Sequence, residues 1–269
     1  MRRARRLGVV ALLAASALAS PVVGAAEPSA PDPESVYHVS LGVDGAVILA
    51  GAVGSLLPYA LSSHLIHVSC PCPASSVNSF DRGVIGNASD GADVASSVTL
   101  GLALVGPPVA DWLALRHRRV WLEDAVVFAE AVSVNGAFVT LAKYAVQRPI
   151  PRVYSDPAAA ADAGNYRSFY SGHTSNAFAA LSTAAVTMNA RYGLTWQPWV
   201  ATLLIGGSVA VERVLAGYHF YTDVLMGAAA GTVVGTGIAV LHLRAPRVRV
   251  SLFRSIGGGG AGIALGGPM

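Results

Sequence analysis

The chain has 269 residues, the length of one domain, and a net charge of only +3. Hydrophobic residues make up 53% and charged residues 12%, about half the charged share of an ordinary globular protein. So little charge, concentrated at the two ends, excludes a nucleic-acid partner and leaves membrane helices or an unusually apolar helical bundle.

The N-terminus reads as an export signal over residues 1–26. Arg2, Arg3, Arg5 and Arg6 form a basic start, Leu7 to Leu18 an apolar core, and Val23-Gly24-Ala25-Ala26 a small-residue cleavage site. An uncleaved anchor is the alternative, although the apolar core is short for a span. No cysteine follows the small residues, which argues against a lipoprotein. Residues 27–43 begin Glu27-Pro-Ser-Ala-Pro-Asp-Pro33 and read as a polar linker.

Six apolar stretches follow: Ala46 to Leu61, Ala95 to Leu115, Ala125 to Val146, Thr174 to Ala190, Pro198 to Val211 and Val224 to Leu243. They are rich in Ala, Gly, Val and Leu without strand-like alternation, which predicts helices. The expected fold is all-α: a bundle of about six helices over residues 44–245 with its functional site at one end. Gly227, Gly231 and Gly235 recur every fourth residue, a spacing that permits close helix contact. Between the first two stretches, Cys70-Pro71-Cys72 is compatible with a tight disulfide or with pairing to another molecule. In the tail, residues 246–269, Arg247-Val-Arg-Val-Ser-Leu-Phe253 alternates, and a glycine run leads to Ile263-Ala-Leu265. A short hairpin is expected there.

Three segments carry chemistry. Lys143-Tyr-Ala-Val-Gln-Arg148-Pro149-Ile150-Pro151-Arg152 ends a helix with clustered cations and prolines. Ser168-Phe-Tyr-Ser171-Gly172-His173 precedes a helix, where a hydroxyl and free backbone N–H groups suit a phosphate. Arg213-Val-Leu-Ala-Gly-Tyr-His219-Phe-Tyr-Thr-Asp223 sets a histidine and an aspartate four residues apart. On a helix these share a face, so the carboxylate could accept one imidazole N–H and leave the other nitrogen to attack. Taken singly, a basic helix end, a serine cap and a helix-start histidine explain each segment as well. Their order in one chain is the stronger signal.

Together the segments resemble the signature of the type 2 phosphatidic acid phosphatase and vanadium haloperoxidase superfamily: Lys-x6-Arg-Pro, Pro-Ser-Gly-His and Ser-Arg-x5-His-x3-Asp. The resemblance covers roughly residues 95 to 243. It implies His219 as nucleophile, His173 as general acid, Asp223 as the residue orienting His219, and Lys143, Ser171, Gly172 and Arg213 as phosphoryl-binding groups. Three positions depart. Ile150 stands where the first-motif arginine belongs, flanked by Arg148 and Arg152 as substitutes. Tyr170 replaces the second-motif proline, and Glu212 the third-motif serine. Glu212 must then point away from the phosphate or pair with Arg213.

The implied activity is a metal-independent phosphatase acting on a phosphomonoester or pyrophosphate, with lipid-linked substrates expected, through a phosphohistidine. No carboxylate cluster suggests a metal, and no cofactor is expected. The partner is a phosphorylated lipid or small phosphate ester. The alternatives are a vanadium-dependent haloperoxidase and a non-catalytic envelope protein that binds anionic lipid.

Placing the motif loops outside the membrane leaves Arg116, Arg118, Arg119, Arg191 and Arg244 to Arg254 on the cytoplasmic side. A translocating signal puts Glu27 outside, however, and a spanning Ala46–Leu61 would then reverse everything after it. Asp111, Glu123, Asp124 and Glu130 are costly in lipid unless turned inward. The expectation is an exported protein of the cytoplasmic membrane with an outward-facing site, with a soluble periplasmic bundle as the alternative.

Overall fold

All six apolar stretches form helices, each extended by polar residues at its start. The computed structural model describes residues 35–70, 72–115, 117–244, 249–254 and 261–266. The expected signal, residues 1–26, lies outside them. The helices are α1 (Leu41–Ala60), the single turns α2 (Ser62–Leu65) and α3 (Ser79–Arg82), α4 (Asp90–Ala114), α5 (Arg118–Val146), α6 (Gly172–Tyr192), α7 (Gln197–Leu215) and α8 (Tyr221–His242). The ends reflect local chemistry. The Ser89 side chain caps α4 by accepting from the Ala92 N–H. Gly193 closes α6 in the left-handed conformation, φ 66°.

α6 is the centre of the bundle, packed against α4, α5, α7 and α8. Its buried face is made of small residues, among them Ala177, Ala179, Ala180 and Ala185. The α8 glycines lie directly on it. A Cβ at Gly227, Gly231 or Gly235 would come within 2.8, 2.1 or 2.2 Å of the carbonyl oxygens of Ser171, Ser175 and Ala179. The four-residue glycine spacing is therefore a packing requirement, since both helices need backbone-to-backbone contact.

The outer helices turn apolar side chains outward. Leu49 and Leu56 of α1, Leu203 and Leu204 of α7, and Val233 and Leu241 of α8 are exposed. Five segments are long and apolar enough to cross a membrane: α1, α4, Arg118–Tyr154, α7 and α8. Acidic residues in the middle of these segments turn inward, as a lipid environment requires, whereas Asp90 at the start of α4 is exposed. Asp124 and Glu130 are buried, and Arg191 grips Asp124 through two bonds of 2.6 and 2.5 Å.

Both ends of the helical domain carry further structure. The expected linker, 27–43, is not free over its described part. Tyr37 is fully buried, its hydroxyl meets Thr187 Oγ1 at 2.7 Å, and its backbone bridges to Leu243. A buried tyrosine pulls the chain onto the bundle before α1 begins. At the other end β1 (Arg249–Arg254) pairs antiparallel with β2 (Ala261–Gly266), Arg249 opposite Gly266. Cys70 and Cys72 form a disulfide with each other, which selects between the alternatives the spacing left open.

Candidate active site

The ends of α1, α5 and α7 and the starts of α6 and α8 meet at one pole of the bundle around a cavity of about 470 Å³. Lys143, Gly172, His173, Arg213 and His219 all line it, joined by Ile150, Arg167, Tyr218 and, from α1, Ser55, Leu56 and Tyr59. Five of the nine residues singled out in the sequence thus converge on one space. The other four surround it without facing it.

His219 does not sit on a helix. Phe220 is the N-cap of α8, so His219 belongs to the preceding loop and the expected one-face relation with Asp223 does not form. The loop is fixed by Gly217, at φ 72°, where a Cβ would lie 1.9 Å from the Asn87 carbonyl oxygen. Only glycine fits. His219 is buried and its Nδ1 lies 2.7 Å from the backbone oxygen of Ser168. A carbonyl only accepts, so Nδ1 carries the proton and Nε2 is left with its lone pair. Burial, then the charges of Lys143 and Arg213, hold the imidazole well below its ordinary pKa. It is neutral at pH 7.

Asp223 acts one residue further back than expected. Its Oδ2 accepts from the Ser168 hydroxyl at 2.5 Å and from the Phe220 N–H at 2.9 Å, and its Oδ1 from Arg148 at 2.7 Å. It caps α8 and holds Ser168, whose carbonyl orients His219. The correction has a simple cause: at the third position of α8, a carboxylate is drawn to the helix's own unpaired N–H groups.

Arg148 is likewise structural. It bridges Asp223 to the buried Asp81 at 2.8 Å, reaches Thr222 Oγ1 at 2.8 Å and stacks 4.1 Å over the Phe220 ring. Burial alone would raise the Asp81 carboxyl, but bonds from Arg148, Thr222 and Asn78 bring it below the ordinary value. Arg152 donates to the Ala216 oxygen at 2.9 Å and lies 4.5 Å from the centre of the Tyr218 ring. Neither arginine is among the cavity's lining residues, and both are engaged by other partners. Ser171 is also committed, its hydroxyl capping α6 at the Thr174 N–H.

Arg167 lines the cavity instead, and nothing in the three motifs singled it out. Its partners are neutral: the Gly164 oxygen at 3.2 Å, the Tyr144 hydroxyl at 3.4 Å and the face of Tyr59 at 4.8 Å. Its own backbone oxygen accepts from Lys143 Nζ. The available signal was a cation six residues before His173, in Tyr166-Arg167-Ser168. Arg213 pairs with Asp93 and lies 4.4 Å from the Tyr218 ring centre, while its Nε is buried with no partner among the described residues. Glu212 is absent from the cavity lining and hydrogen-bonds Thr99, which resolves the conflict at the third motif.

His173 is the second residue of α6, beyond Gly172. Its Nε2 is 3.5 Å from Ser97 Oγ, so α4 supplies a hydroxyl the sequence did not mark. Burial first, then the positive charge of Arg213, lowers its pKa to about 4. An anion placed in the cavity would oppose that cationic field and favour the protonated imidazole. The N–H groups of Gly172 and His173 precede the first intrahelical bond, Ser175 N–H to Ser171 O. They make a donor pair at the positive end of α6.

Residues 124–247, which contain all three motif segments, match the PAP2 superfamily. This segment is a PAP2 superfamily domain. The PAP2 segment begins within α5, so α1 and α4, which also wall the cavity or its histidine, precede it. The chain is 36% identical over 83 residues to a lipid A 4'-phosphatase of Porphyromonas gingivalis, covering 30% of this chain and 33% of that protein. It therefore spans about a third of the length of the curated relative it matches. Among solved structures it is similar to Aquifex aeolicus LpxE, with 22% identity, a TM-score of 0.42, and coverage of 60% of this chain and 92% of that one.

Proposed function

We propose that this protein is a lipid phosphatase that hydrolyses a phosphomonoester or pyrophosphate through a phosphohistidine on His219. The observation that carries the reading is the pairing of His219 Nδ1 with Ser168 O in a cavity that also holds Lys143, Arg167 and Arg213. One nitrogen is aimed and unprotonated, and three cations surround the space in front of it.

The lone pair of Nε2 attacks phosphorus and forms an N–P bond as the ester P–O bond breaks. His173 gives its proton to the leaving oxygen, then takes one from the water that cleaves the N–P bond and releases phosphate. The carbonyl of Ser168, a residue whose hydroxyl is held by Asp223, accepts a hydrogen bond from the Nδ1–H throughout. Lys143, Arg167, Arg213 and the first N–H groups of α6 hold the equatorial oxygens, where developing charge is greatest. A lipid-linked substrate accords with the apolar outer helices and with the lipid A phosphatase relative. A haloperoxidase is disfavoured by Ile150, an apolar side chain lining the anion's cradle.

The site faces outward in this proposal, with the basic ends of α5 and α8 inside. The fold sharpens the topology. α1 starts and α8 ends at the same pole, joined by the Tyr37–Leu243 bridge, away from the site. An outward-facing site with all six long helices crossing therefore places residue 41 on the inner side. A signal that carries Glu27 outward is compatible with an outward-facing site if α1 does not span, and otherwise with the reverse orientation or a soluble bundle. Reporter fusions at the C-terminus decide: an outward site predicts activity from a cytoplasmic reporter and none from an exported one.

The activity is tested with purified full-length protein on phosphatidic acid, phosphatidylglycerol phosphate, lipid A, polyprenyl pyrophosphate and a water-soluble aryl phosphate, with chelator and with vanadate. The expected result is phosphate release that persists in chelator and is inhibited by vanadate. Phosphate release that requires a catalytic divalent ion would place the chemistry in another class, and none on any substrate would favour a binding protein.

A further inference from the structure

At the opposite pole, three helices distant in sequence bring Asp44, Glu130 and His242 together, with one ligating atom of each within 4.8 Å of the others. His242 Nε2 is 3.6 Å from Asp44 Oδ1 and 3.4 Å from Glu130 Oε2. Both separations exceed an ordinary N–H···O hydrogen bond. Glu130 is only 5% exposed, and its Oε2 has no hydrogen-bond partner among the described residues. The geometry points to a divalent transition-metal site, best suited to zinc, that clasps α1 to the PAP2 segment.

Three features favour an ion over direct pairing. First, zinc bonds of about 2.0–2.2 Å to nitrogen and oxygen in a tetrahedron give ligand–ligand edges of roughly 3.3–3.6 Å, which the two measured separations match. Second, the outer contacts already orient the donors. His242 Nδ1 lies 2.9 Å from the Ile238 carbonyl, so it holds the proton and presents Nε2, as metal-bound imidazoles do. The Ser40 N–H occupies Asp44 Oδ2 at 2.7 Å and leaves Oδ1 toward His242. Third, the buried Oε2 of Glu130 has no hydrogen-bond partner among the described residues and faces His242 Nε2, and a bound cation satisfies a buried carboxylate oxygen that nothing else pairs. The fourth position falls to water, with access past His242, whose side chain is 13% exposed.

The clasp is structural and independent of the phosphatase reading. α8 has 22 residues, roughly 33 Å at the α-helical rise, and the active site lies at its other end. Asp44 stands outside the PAP2 segment, whereas Glu130 and His242 stand within it. The ion would thus fasten the base of α1, whose far end supplies Ser55, Leu56 and Tyr59 to the cavity.

The test uses full-length protein in detergent, stripped with chelator, desalted and titrated with Zn2+ and, separately, with Co2+. Wild type should take up one equivalent of zinc, give the intense visible bands of tetrahedral cobalt, and unfold at a higher temperature with metal. Glu130→Gln keeps the side-chain volume, so it carries the test even if His242→Ala fails to fold. It should weaken zinc binding at least about tenfold, the scale on which even an outer-shell partner matters. Absence of stoichiometric binding in wild type, or equal binding in Glu130→Gln, overturns the proposal. Because the readout is metal bound per chain, either result stands whether or not the protein hydrolyses phosphate.

Discussion

Two cavities among the described residues are bordered by side chains of opposite charge. At the start of α6, about 470 Å³ is bordered by Lys143, Arg167, Arg213 and two histidines. Near its far end, about 230 Å³ is bordered by Asp111 and Asp124 among Ala, Pro and Met side chains. The same residue types play different parts according to whether the fold has already neutralised them. Arg191 is locked on Asp124, and Arg148 on Asp81 and Asp223. Arg167 and Lys143, whose partners among the described residues are neutral, are the cations left for an incoming anion.

That comparison can be broken by substitution. The largest effect beyond loss of the nucleophile belongs to His173→Ala, which should slow a lipid phosphate by roughly 10²–10⁴, the usual contribution of a general acid. An aryl phosphate with a good leaving group should lose far less. Equal losses on both substrates, measured as kcat, would mean that His173 does not protonate the leaving oxygen.

Next comes the pair of arginines. Arg148→Ala leaves two buried carboxylates, Asp81 and Asp223, without their shared cation, and should cost about 3–5 kcal/mol of stability. Thermal unfolding should show it before any kinetic assay does. Arg167→Ala should barely change stability, because it removes a partly exposed cation–π contact of about 0.5–1 kcal/mol. It should instead weaken vanadate binding by about 1.5–3 kcal/mol, tenfold or more. If the two variants exchange phenotypes, the division between neutralised and available cations is wrong.

These assignments mark where the sequence was legible. All six helices follow from apolar stretches long enough to need burial or lipid, and Lys143, Gly172, His173, Arg213 and His219 follow from motif spacing. What did not follow depends on which partner wins in three dimensions. Nothing in a spacing of four says that Asp223 prefers the N–H groups of its own helix to His219. Nor does it say that Asp81, far upstream, captures Arg148. The motif makes Ser171 a phosphate ligand, yet a serine preceding a helix is drawn to its cap. Asp44, Glu130 and His242 were illegible as a group because α1, α5 and α8 must pack before they meet.

Smaller effects sharpen the picture. Ile150→Arg adds a guanidinium to a cavity that already contains Arg167, so vanadate affinity should rise by less than about tenfold, the lower end of a charge-assisted bond. A larger gain would show that Arg167 fills the vacancy poorly. Acidification should act in a predictable direction. Between pH 6.5 and about 4 the folded protein keeps His173 neutral while the unfolded chain takes up the proton. Stability therefore falls as pH falls through that window. Bound vanadate offsets the cationic field on His173, so the slope of Tm against pH should flatten when it is present.

The most direct test of the central claim is rapid-quench trapping with a radiolabelled phosphate ester. Wild type should yield an acid-labile, alkali-stable phosphohistidine within one turnover, located on the peptide containing His219. His219→Ala should be folded and carry no label. Equal labelling of that variant, or full turnover with no labelled protein at any time, contradicts the account.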